Sequence, residues 1–216
     1  MRRSDPPPSL SAEDALARLA EGNRRFRTAT TTRTQPWSEE LARAEQRPFA
    51  IVLGCSDARA PVEIVFDQGL GDLFVVRIAG NIVAPSIVGS IEFAASQFGS
   101  RLVVVMGHTD CGAVTATLRA MQAGLELASR NIRSITDRIA PHLEPLHREE
   151  RSEDLLREAV RANVRASADH LRHGSRVLED LVLAGRILVV GAEHELETGV
   201  VRFFDGVPEA LRSRLP

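Results

Sequence analysis

The chain lacks lysine and tyrosine altogether. It has 216 residues, no tyrosine, and 27 basic residues that are all arginine. The absence of lysine excludes a Schiff-base lysine and the lysine of a phosphate-binding P-loop. The absence of tyrosine excludes a phenolic acid or base. A formal net charge of -2 argues against a dedicated nucleic-acid-binding protein.

Cysteine and long hydrophobic runs are also scarce. Two cysteines are too few for the disulfide scaffold of a secreted protein. In a reducing compartment each would be a buried small side chain, a reactive thiol or a metal ligand. No apolar run approaches the roughly 20 residues that span a bilayer, and no apolar segment follows the basic Arg2 and Arg3. We therefore expect a cytoplasmic protein without membrane contact.

Four short apolar runs organise the rest of the chain. They cover residues 49–54, 73–78, 102–107 and 187–191. Because they are rich in β-branched residues and do not alternate with polar ones, they are typical of strands buried on both faces of a parallel sheet. Helical patterns lie between them, at 86–98, 112–128, 153–172 and 174–184. This alternation predicts an α/β fold with a mostly parallel central sheet flanked by helices, and residues 200–204 can add an edge strand.

The N-terminal segment is organised differently. Residues 1–10 contain three consecutive prolines and predict a flexible arm. Ser11 followed by Asp14 is an N-cap pattern and predicts that a helix begins there. A second, short helix is expected at 38–45. Residues 11–216 are predicted to form a single domain.

Two short motifs directly follow the first and third apolar runs. Cys55, Asp57 and Arg59 form Cys-x-Asp-x-Arg, and His108 and Cys111 form His-x-x-Cys. Because functional groups gather at the carboxyl ends of parallel strands, these residues are expected to meet. Two thiolates and an imidazole suit Zn²⁺, and three protein ligands leave a fourth position open, as in catalytic zinc sites. Ordinary core cysteines beside an ordinary loop histidine are the alternative, and they require the whole pattern to arise by coincidence.

Asp57 and Arg59 predict an ion pair beside this metal site. An arginine fork would hold the Asp57 carboxylate ionised. The carboxylate could then orient a zinc-bound water, or it could move onto the zinc as a conditional fourth ligand and close the site. The alternative is a salt bridge that only stabilises the loop.

The other histidines give weaker signals. Those in charged helical stretches are expected to be exposed to solvent, and they are His142, His147, His170 and His173. His194 follows the fourth apolar run, so it is expected near the end of the sheet, without a catalytic role. The segment from Asp67 to Asp72 lacks the spacing of a phosphate-binding loop and predicts a turn.

The five motif residues and their surroundings resemble the β-class carbonic anhydrases. The likeness runs from about residue 11 to about residue 205 and includes Leu19–Phe26, Phe66–Arg77, Ala79–Asn81 and Gly107–Ala113. It implies one Zn²⁺ per subunit, bound by the two cysteines and the histidine. It also implies reversible hydration of carbon dioxide to bicarbonate and a proton, by a zinc-bound hydroxide that the Asp–Arg pair orients.

The resemblance further implies an assembly and a substrate pocket. The sheet would have one antiparallel edge strand. The protein would be a dimer or a dimer of dimers, in which the helical arm at 11–45 packs on the partner subunit. The residues implied at the substrate site are Gln46, Phe74, Ala79 and Gly112. Gln46 would donate a hydrogen bond to substrate, Phe74 and Ala79 would form an apolar wall, and Gln46 and Phe74 would come from across the interface.

The chain departs from those relatives whose site closes at low pH. They build an inhibitory bicarbonate pocket from a tryptophan, a valine and a tyrosine. Here Val52 stands at the tryptophan position, Ala60 stands at the valine position, and the chain has no tyrosine. These differences predict an open site that stays accessible to water or a small anion. Many relatives also have aromatic residues where this chain has Glu193 and His194.

Two other functions fit the same residues. Hydrolysis of carbonyl sulfide or carbon disulfide could use the same scaffold, because a zinc hydroxide can attack those molecules too. A zinc-stabilised structural or regulatory protein without turnover is the other alternative, and it requires four protein ligands.

Overall fold

The computed structural model describes residues 10–31, 45–124, 129–147 and 154–213, together with residues 39, 43 and 215. Its centre is a five-stranded sheet in the order β2-β1-β3-β4-β5. The strands are β1 (Ala50–Gly54), β2 (Leu73–Arg77), β3 (Leu102–His108), β4 (Leu188–His194) and β5 (Val201–Asp205). The first four run parallel, and β5 pairs antiparallel with β4. The predicted α/β fold, with a mostly parallel sheet and an antiparallel edge strand, is confirmed.

Helices surround this sheet. They are α1 (Ala12–Arg27), α2 (Val62–Val65), α3 (Pro85–Phe98), α4 (Gly112–Ala123), α5 (Arg130–His147), α6 (Leu155–His173), α7 (Arg176–Leu183) and α8 (Glu209–Arg212), with a 3-10 turn at Ala79–Asn81. The helix predicted at 112–128 ends at Ala123, because Gly124 turns into the left-handed conformation, and residues 125–128 lie outside the described part. The helix predicted at 38–45 also lies mostly outside it, although residues 39 and 43 are helical. In the described ranges, no helix combines the length and the apolar character needed to cross a membrane.

Alternate residues of the buried strands face two separate helical layers. Val104 and Val190 pack in a cluster with residues of α1, α2 and α8. Val105 and Val189 point the other way and pack with residues of α3, α6 and α7. Because each strand residue is enclosed by one layer or the other, the strands carry apolar side chains on both faces. Burying one such side chain completely stabilises the fold by roughly 1.5–3 kcal/mol.

The N-terminal helix α1 belongs to the first layer. It begins as predicted, since the Ser11 hydroxyl accepts a hydrogen bond from the Asp14 N–H at 3.0 Å. Leu16 and Leu19 are fully buried against the sheet of the same chain. Contact of this helical arm with a partner subunit stays a prediction, as does the division at residue 10.

A third apolar cluster lies where the strands end. Residues of α4, α5 and α6, among them Val114, Ile139 and Val160, pack around Cys55 and Cys111. The carboxyl edge of the sheet is thus covered by helices over the two cysteines. This cover keeps bulk water away from one side of the predicted metal site.

Gly22 lies in close contact with the backbone that follows α2. A Cβ atom there would lie 1.8 Å from the carbonyl oxygen of Phe66. We expect Gly22→Ala to lower the free energy of unfolding by about 1–3 kcal/mol or more, although alanine favours the helix. Ala17→Gly at an exposed position of the same helix should cost about 1 kcal/mol and so measures the propensity effect alone. Chemical denaturation of both variants tests this, and a Gly22→Ala protein as stable as the original would contradict the close contact.

Candidate metal centre

Three side chains from two neighbouring strand ends meet at one point. Cys55 follows β1, His108 ends β3, and Cys111 is the N-cap residue of α4. Because β1 and β3 are adjacent and parallel, both strands deliver their ends to the same edge. One ligand atom of each residue lies within 4.8 Å of the other two, and all three residues are buried. This arrangement brings together the three predicted metal ligands.

The nitrogen atoms of His108 are suited to a metal. Nδ1 lies 2.8 Å from the carbonyl oxygen of Thr109, so it carries the proton and donates it to that oxygen. Nε2 is buried and has no hydrogen-bond partner among the described residues. A buried acceptor without a donor is costly, and a cation between the histidine and the cysteines removes that cost.

The two thiols also favour a cation between them. A hydrogen bond from Cys111 lowers the pKa of the Cys55 thiol to about 4. Contact with Cys55, together with burial, raises the pKa of Cys111 well above its usual range. The pair therefore gives up one proton readily and holds the other. A divalent ion supplies the positive charge that lets both sulfurs ionise, and the set of two sulfurs and one nitrogen fits Zn²⁺.

Asp57 and Arg59 form a two-point ion pair beside these ligands. Arg59 Nε lies 3.0 Å from Asp57 Oδ1, and Arg59 Nη2 lies 2.9 Å from Asp57 Oδ2. The Arg59 backbone N–H also donates to Oδ1, at 2.9 Å. These hydrogen bonds hold the pKa of Asp57 well below its usual range, so the carboxylate is ionised at neutral pH. Its Oδ2 lies 3.8 Å from His108 Nε2, close to the ligands but tied to the arginine.

The backbone around the site is held by residues that the motifs do not contain. Arg77, the last residue of β2, donates to the carbonyl oxygens of Cys55 at 2.9 Å and Asp57 at 2.6 Å. The Thr109 N–H donates to the His194 carbonyl at 3.0 Å, and the Leu196 N–H donates to the Thr109 hydroxyl at 3.0 Å. In the sequence, the feature that could have indicated a role for Arg77 is a basic residue near the end of an apolar run. No local signal pointed to the Thr109 contacts.

The predicted substrate residues fall into two groups. Ala79 lies in the 3-10 turn beside Gly80, whose N–H faces Cys55, and Gly112 directly follows Cys111. Gln46 instead precedes β1, at the end of that strand opposite to Cys55. Phe74 lies within β2. The centroid of its ring lies 6.4 Å from the ring centroid of Phe93 and 6.0 Å from that of Phe98. Within one chain, Gln46 and Phe74 are therefore not beside the cluster.

The remaining histidines divide by burial. His142, His170 and His173 are exposed, as predicted, and the side chain of His147 lies outside the described residues. His194 is only 2% exposed, and neither ring nitrogen has a hydrogen-bond partner in the described ranges. It pairs in register with His108 at the end of the sheet. Burial, and to a lesser extent His108, lowers the pKa of His194 to about 4.

Glu193 is a further buried charged group at this edge. It is fully buried, and its Oε2 lies 2.8 Å from Arg161 Nη2 and 3.2 Å from Arg157 Nη2. Both arginines come from α6. Glu193 and His194 therefore place a buried carboxylate, paired with two arginines, and a buried imidazole at this edge of the sheet.

Comparison with known proteins assigns the family. The sequence model of the family described as carbonic anhydrase matches residues 50–201. Carbonic anhydrase 2 of Mycobacterium tuberculosis is 35% identical over 195 residues, which cover 89% of this chain and 92% of the relative. The carbonic anhydrase of Mycolicibacterium smegmatis is 36% identical over 196 residues, covering 90% and 94%. A tetrameric β-carbonic anhydrase of Sordaria macrospora has a similar fold, with a TM-score of 0.66, 22% identity, and coverage of 76% of this chain and 84% of that one.

The fold is that of the β-class carbonic anhydrases. This chain belongs to the carbonic anhydrase family, and the resemblance seen in its motifs is confirmed.

The buried His194 predicts a particular dependence of stability on pH. Its pKa falls from the ordinary 6.5 to about 4 in the folded chain. Between these values the unfolded chain binds a proton that the folded chain does not, so the free energy of unfolding falls as the pH falls, by at most about 3 kcal/mol. His194→Phe should flatten this dependence. Urea denaturation of the zinc-loaded protein between pH 4 and pH 8 measures it.

The matched control for this measurement is His170→Ala, which removes an exposed histidine from α6. It should leave the pH dependence unchanged. If His194→Phe retained the full slope of the original protein, the loss of stability would originate from other groups.

Proposed function

We propose that this chain is a zinc-dependent carbonic anhydrase that interconverts carbon dioxide and bicarbonate. The observation that carries the proposal is the buried cluster of Cys55, His108 and Cys111 beside the ionised Asp57–Arg59 pair. Three ligands leave a fourth position on a tetrahedral metal, which a purely structural site does not leave. Bound zinc lowers the pKa of a coordinated water to about 7 and so supplies a nucleophile at neutral pH.

Each protein group then has a separate task. Cys55, Cys111 and the Nε2 atom of His108 hold the metal. Asp57 can only accept hydrogen bonds, because Arg59 keeps it ionised, so it selects a partner that still carries a proton. The apolar side chain of Ala79 gives carbon dioxide a wall without competing hydrogen bonds, and Gly112 leaves space beside Cys111.

The site is open in this proposal. Asp57 makes three hydrogen bonds with Arg59, and moving it onto the metal would break them. Val52 and Ala60 are fully buried apolar residues, so neither supplies a polar contact for an inhibitory bicarbonate. A crystal structure of the zinc-loaded protein near pH 8 in which Asp57 coordinates the metal would contradict this part.

Stopped-flow measurement of carbon dioxide hydration tests the function. Turnover should disappear when a chelator removes the zinc and return when zinc is restored. Asp57→Asn should keep most of the zinc but lower turnover by about 10–100-fold, since the amide keeps the shape of the carboxylate and loses its charge. Asp169→Asn, an exposed change on α6, is the matched control and should retain full activity.

Three outcomes would contradict the proposal. Activity that survives complete removal of zinc would exclude the metal mechanism. Loss of zinc in Asp57→Asn, with no turnover in the unaltered protein, would favour a structural metal. Rapid sulfide release from carbonyl sulfide without carbon dioxide hydration would favour the hydrolase reaction instead.

We also propose that the active form is a dimer or a dimer of dimers. Phe93 on α3 is 52% exposed, and its ring packs with those of Phe74 and Phe98 beside the β2 edge of the sheet. A groove of about 670 Å³ runs from the rings of Phe93 and Phe98 to Gln46 and Leu10. An exposed aromatic patch next to an open strand edge suits a self-complementary interface.

Phe93→Asp should therefore produce a monomer. The monomer should stay folded, because this side chain is half exposed in the single chain, and it should lose activity if the partner completes the site. Analytical ultracentrifugation reports the mass, and Leu183→Asp, at an 80% exposed position, is the matched control that should not change it. A Phe93→Asp protein that still forms dimers would place the interface elsewhere.

Subunit mixing tests whether Gln46 acts across the interface. Asp57→Asn and Gln46→Ala chains, each weakly active alone, form mixed dimers when refolded together. One site of each mixed dimer then has both residues intact, so activity should recover to about a quarter of the original. No recovery in mixed dimers would mean that both residues act within one chain.

A further inference from the structure

Asn163 is a polar residue on the buried, mostly apolar face of α6. It is 1% exposed and lies beside Val160 and Val164, which are fully enclosed in the core. Burying an amide side chain is costly unless it makes hydrogen bonds. Its Nδ2 donates to the carbonyl oxygen of Gly80 at 2.7 Å, across 83 residues of sequence.

Gly80 is the residue that contacts the metal ligand Cys55. Its backbone N–H donates to Cys55 Sγ at 3.3 Å. This contact depends on a left-handed backbone, with φ of 69° at Gly80 and 43° at Asn81. A Cβ atom at Gly80 would lie 2.9 Å from Ile139 Cδ1, so the turn is closely packed as well.

The two contacts of Gly80 flank the same Cα atom. Holding the carbonyl therefore restrains the φ and ψ angles at which the N–H faces the sulfur. The turn keeps two consecutive residues in the left-handed region, which L-residues disfavour. Without a donor at the Gly80 carbonyl, this conformation would lose one of the contacts that stabilise it. Asn163 thus restrains a backbone N–H that touches Cys55, although Asn163 itself does not touch it.

We propose that Asn163 is a positioning residue for Cys55, which holds the Gly80 carbonyl so that the Gly80 N–H donates to the ligand sulfur. The proposal rests on the zinc site proposed above. A hydrogen bond to a ligand thiolate withdraws charge from the sulfur and fixes its orientation, and both effects tune the bond to the metal. Asn163 therefore acts on metal affinity and on the electronic state of the sulfur.

The rival interpretation is that Asn163 only satisfies a buried carbonyl. Asn23 offers a matched comparison, because it is also 1% exposed. Its side chain donates to the carbonyls of Val65 and Gly199 and accepts from the Val201 N–H, all within 3.1 Å. Its contacts join α1 to neighbouring segments and do not include the metal ligands. Loss of Asn23 should therefore weaken the fold without changing the metal.

The test uses the full chain loaded with Co²⁺, whose thiolate-to-metal charge-transfer absorption reports on the sulfur. Asn163→Leu preserves the size of the side chain and removes the donor. It should move the charge-transfer band to longer wavelength, because a thiolate without its hydrogen bond gives up electrons more easily. Zinc affinity, measured by competition with a chelator, should fall about 10–100-fold. Asn23→Leu should leave the band in place and the affinity within about twofold, even where it lowers the melting temperature.

A second variant keeps the test decisive if Asn163→Leu does not fold. Asn163→Ser should fold more readily, because its hydroxyl can donate to the backbone of its own helix, but it is too short to reach Gly80. The same shift and loss of affinity are expected. A folded variant with the original band and affinity would overturn the positioning role while leaving the zinc site intact. An unaltered protein that binds neither Co²⁺ nor Zn²⁺ would overturn the site itself.

Discussion

The structure depends on a single constraint, the close approach of two thiols and an imidazole in a space that excludes water. Cys55, His108 and Cys111 have ligand atoms within 4.8 Å of one another inside an apolar cluster. Without a cation, the two sulfurs compete for one proton and the histidine nitrogen has no donor. A divalent metal would resolve both conflicts at once, and the low polarity around it would strengthen its attraction to the thiolates.

The groups that keep this cluster in place act mainly on the backbone. Arg77 holds the carbonyls of Cys55 and Asp57 within the first motif, and Thr109 is held by the segment that follows β4. Asn163 holds the turn at Gly80 from a helix on one face of the sheet. Fixing the backbone at several points limits how far each ligand atom can move, which a metal with strict bond lengths requires.

The buried Glu193 connects this arrangement to the fold. Its ion pairs with Arg157 and Arg161 join β4 to the same helix that carries Asn163. The Glu193 side chain is fully enclosed, whereas those of Arg157 and Arg161 are 34% and 31% exposed, so the two arginines compensate the buried carboxylate from the protein surface. Ion pairs as well as packed valines therefore fix α6 on the sheet. The position of α6 in turn places the Asn163 side chain within hydrogen-bond distance of Gly80. Glu193 and His194 thus place a buried carboxylate and a buried imidazole at the same edge of the sheet as the three candidate ligands.

The sequence by itself determined the strands, the three candidate ligands and the Asp57–Arg59 ion pair. Each of these follows from residues close together in the chain: apolar runs of five or six residues, Cys55 with Arg59, and His108 with Cys111. The helix α5 was harder to delimit, because Pro141 and Pro145 within it are poor helix formers. The tertiary structure alone decided the burial of His194 and the hydrogen bond from Asn163 to Gly80. Those relations join residues that are distant in sequence, and they exist only after helices have packed onto the sheet, so no local pattern records them.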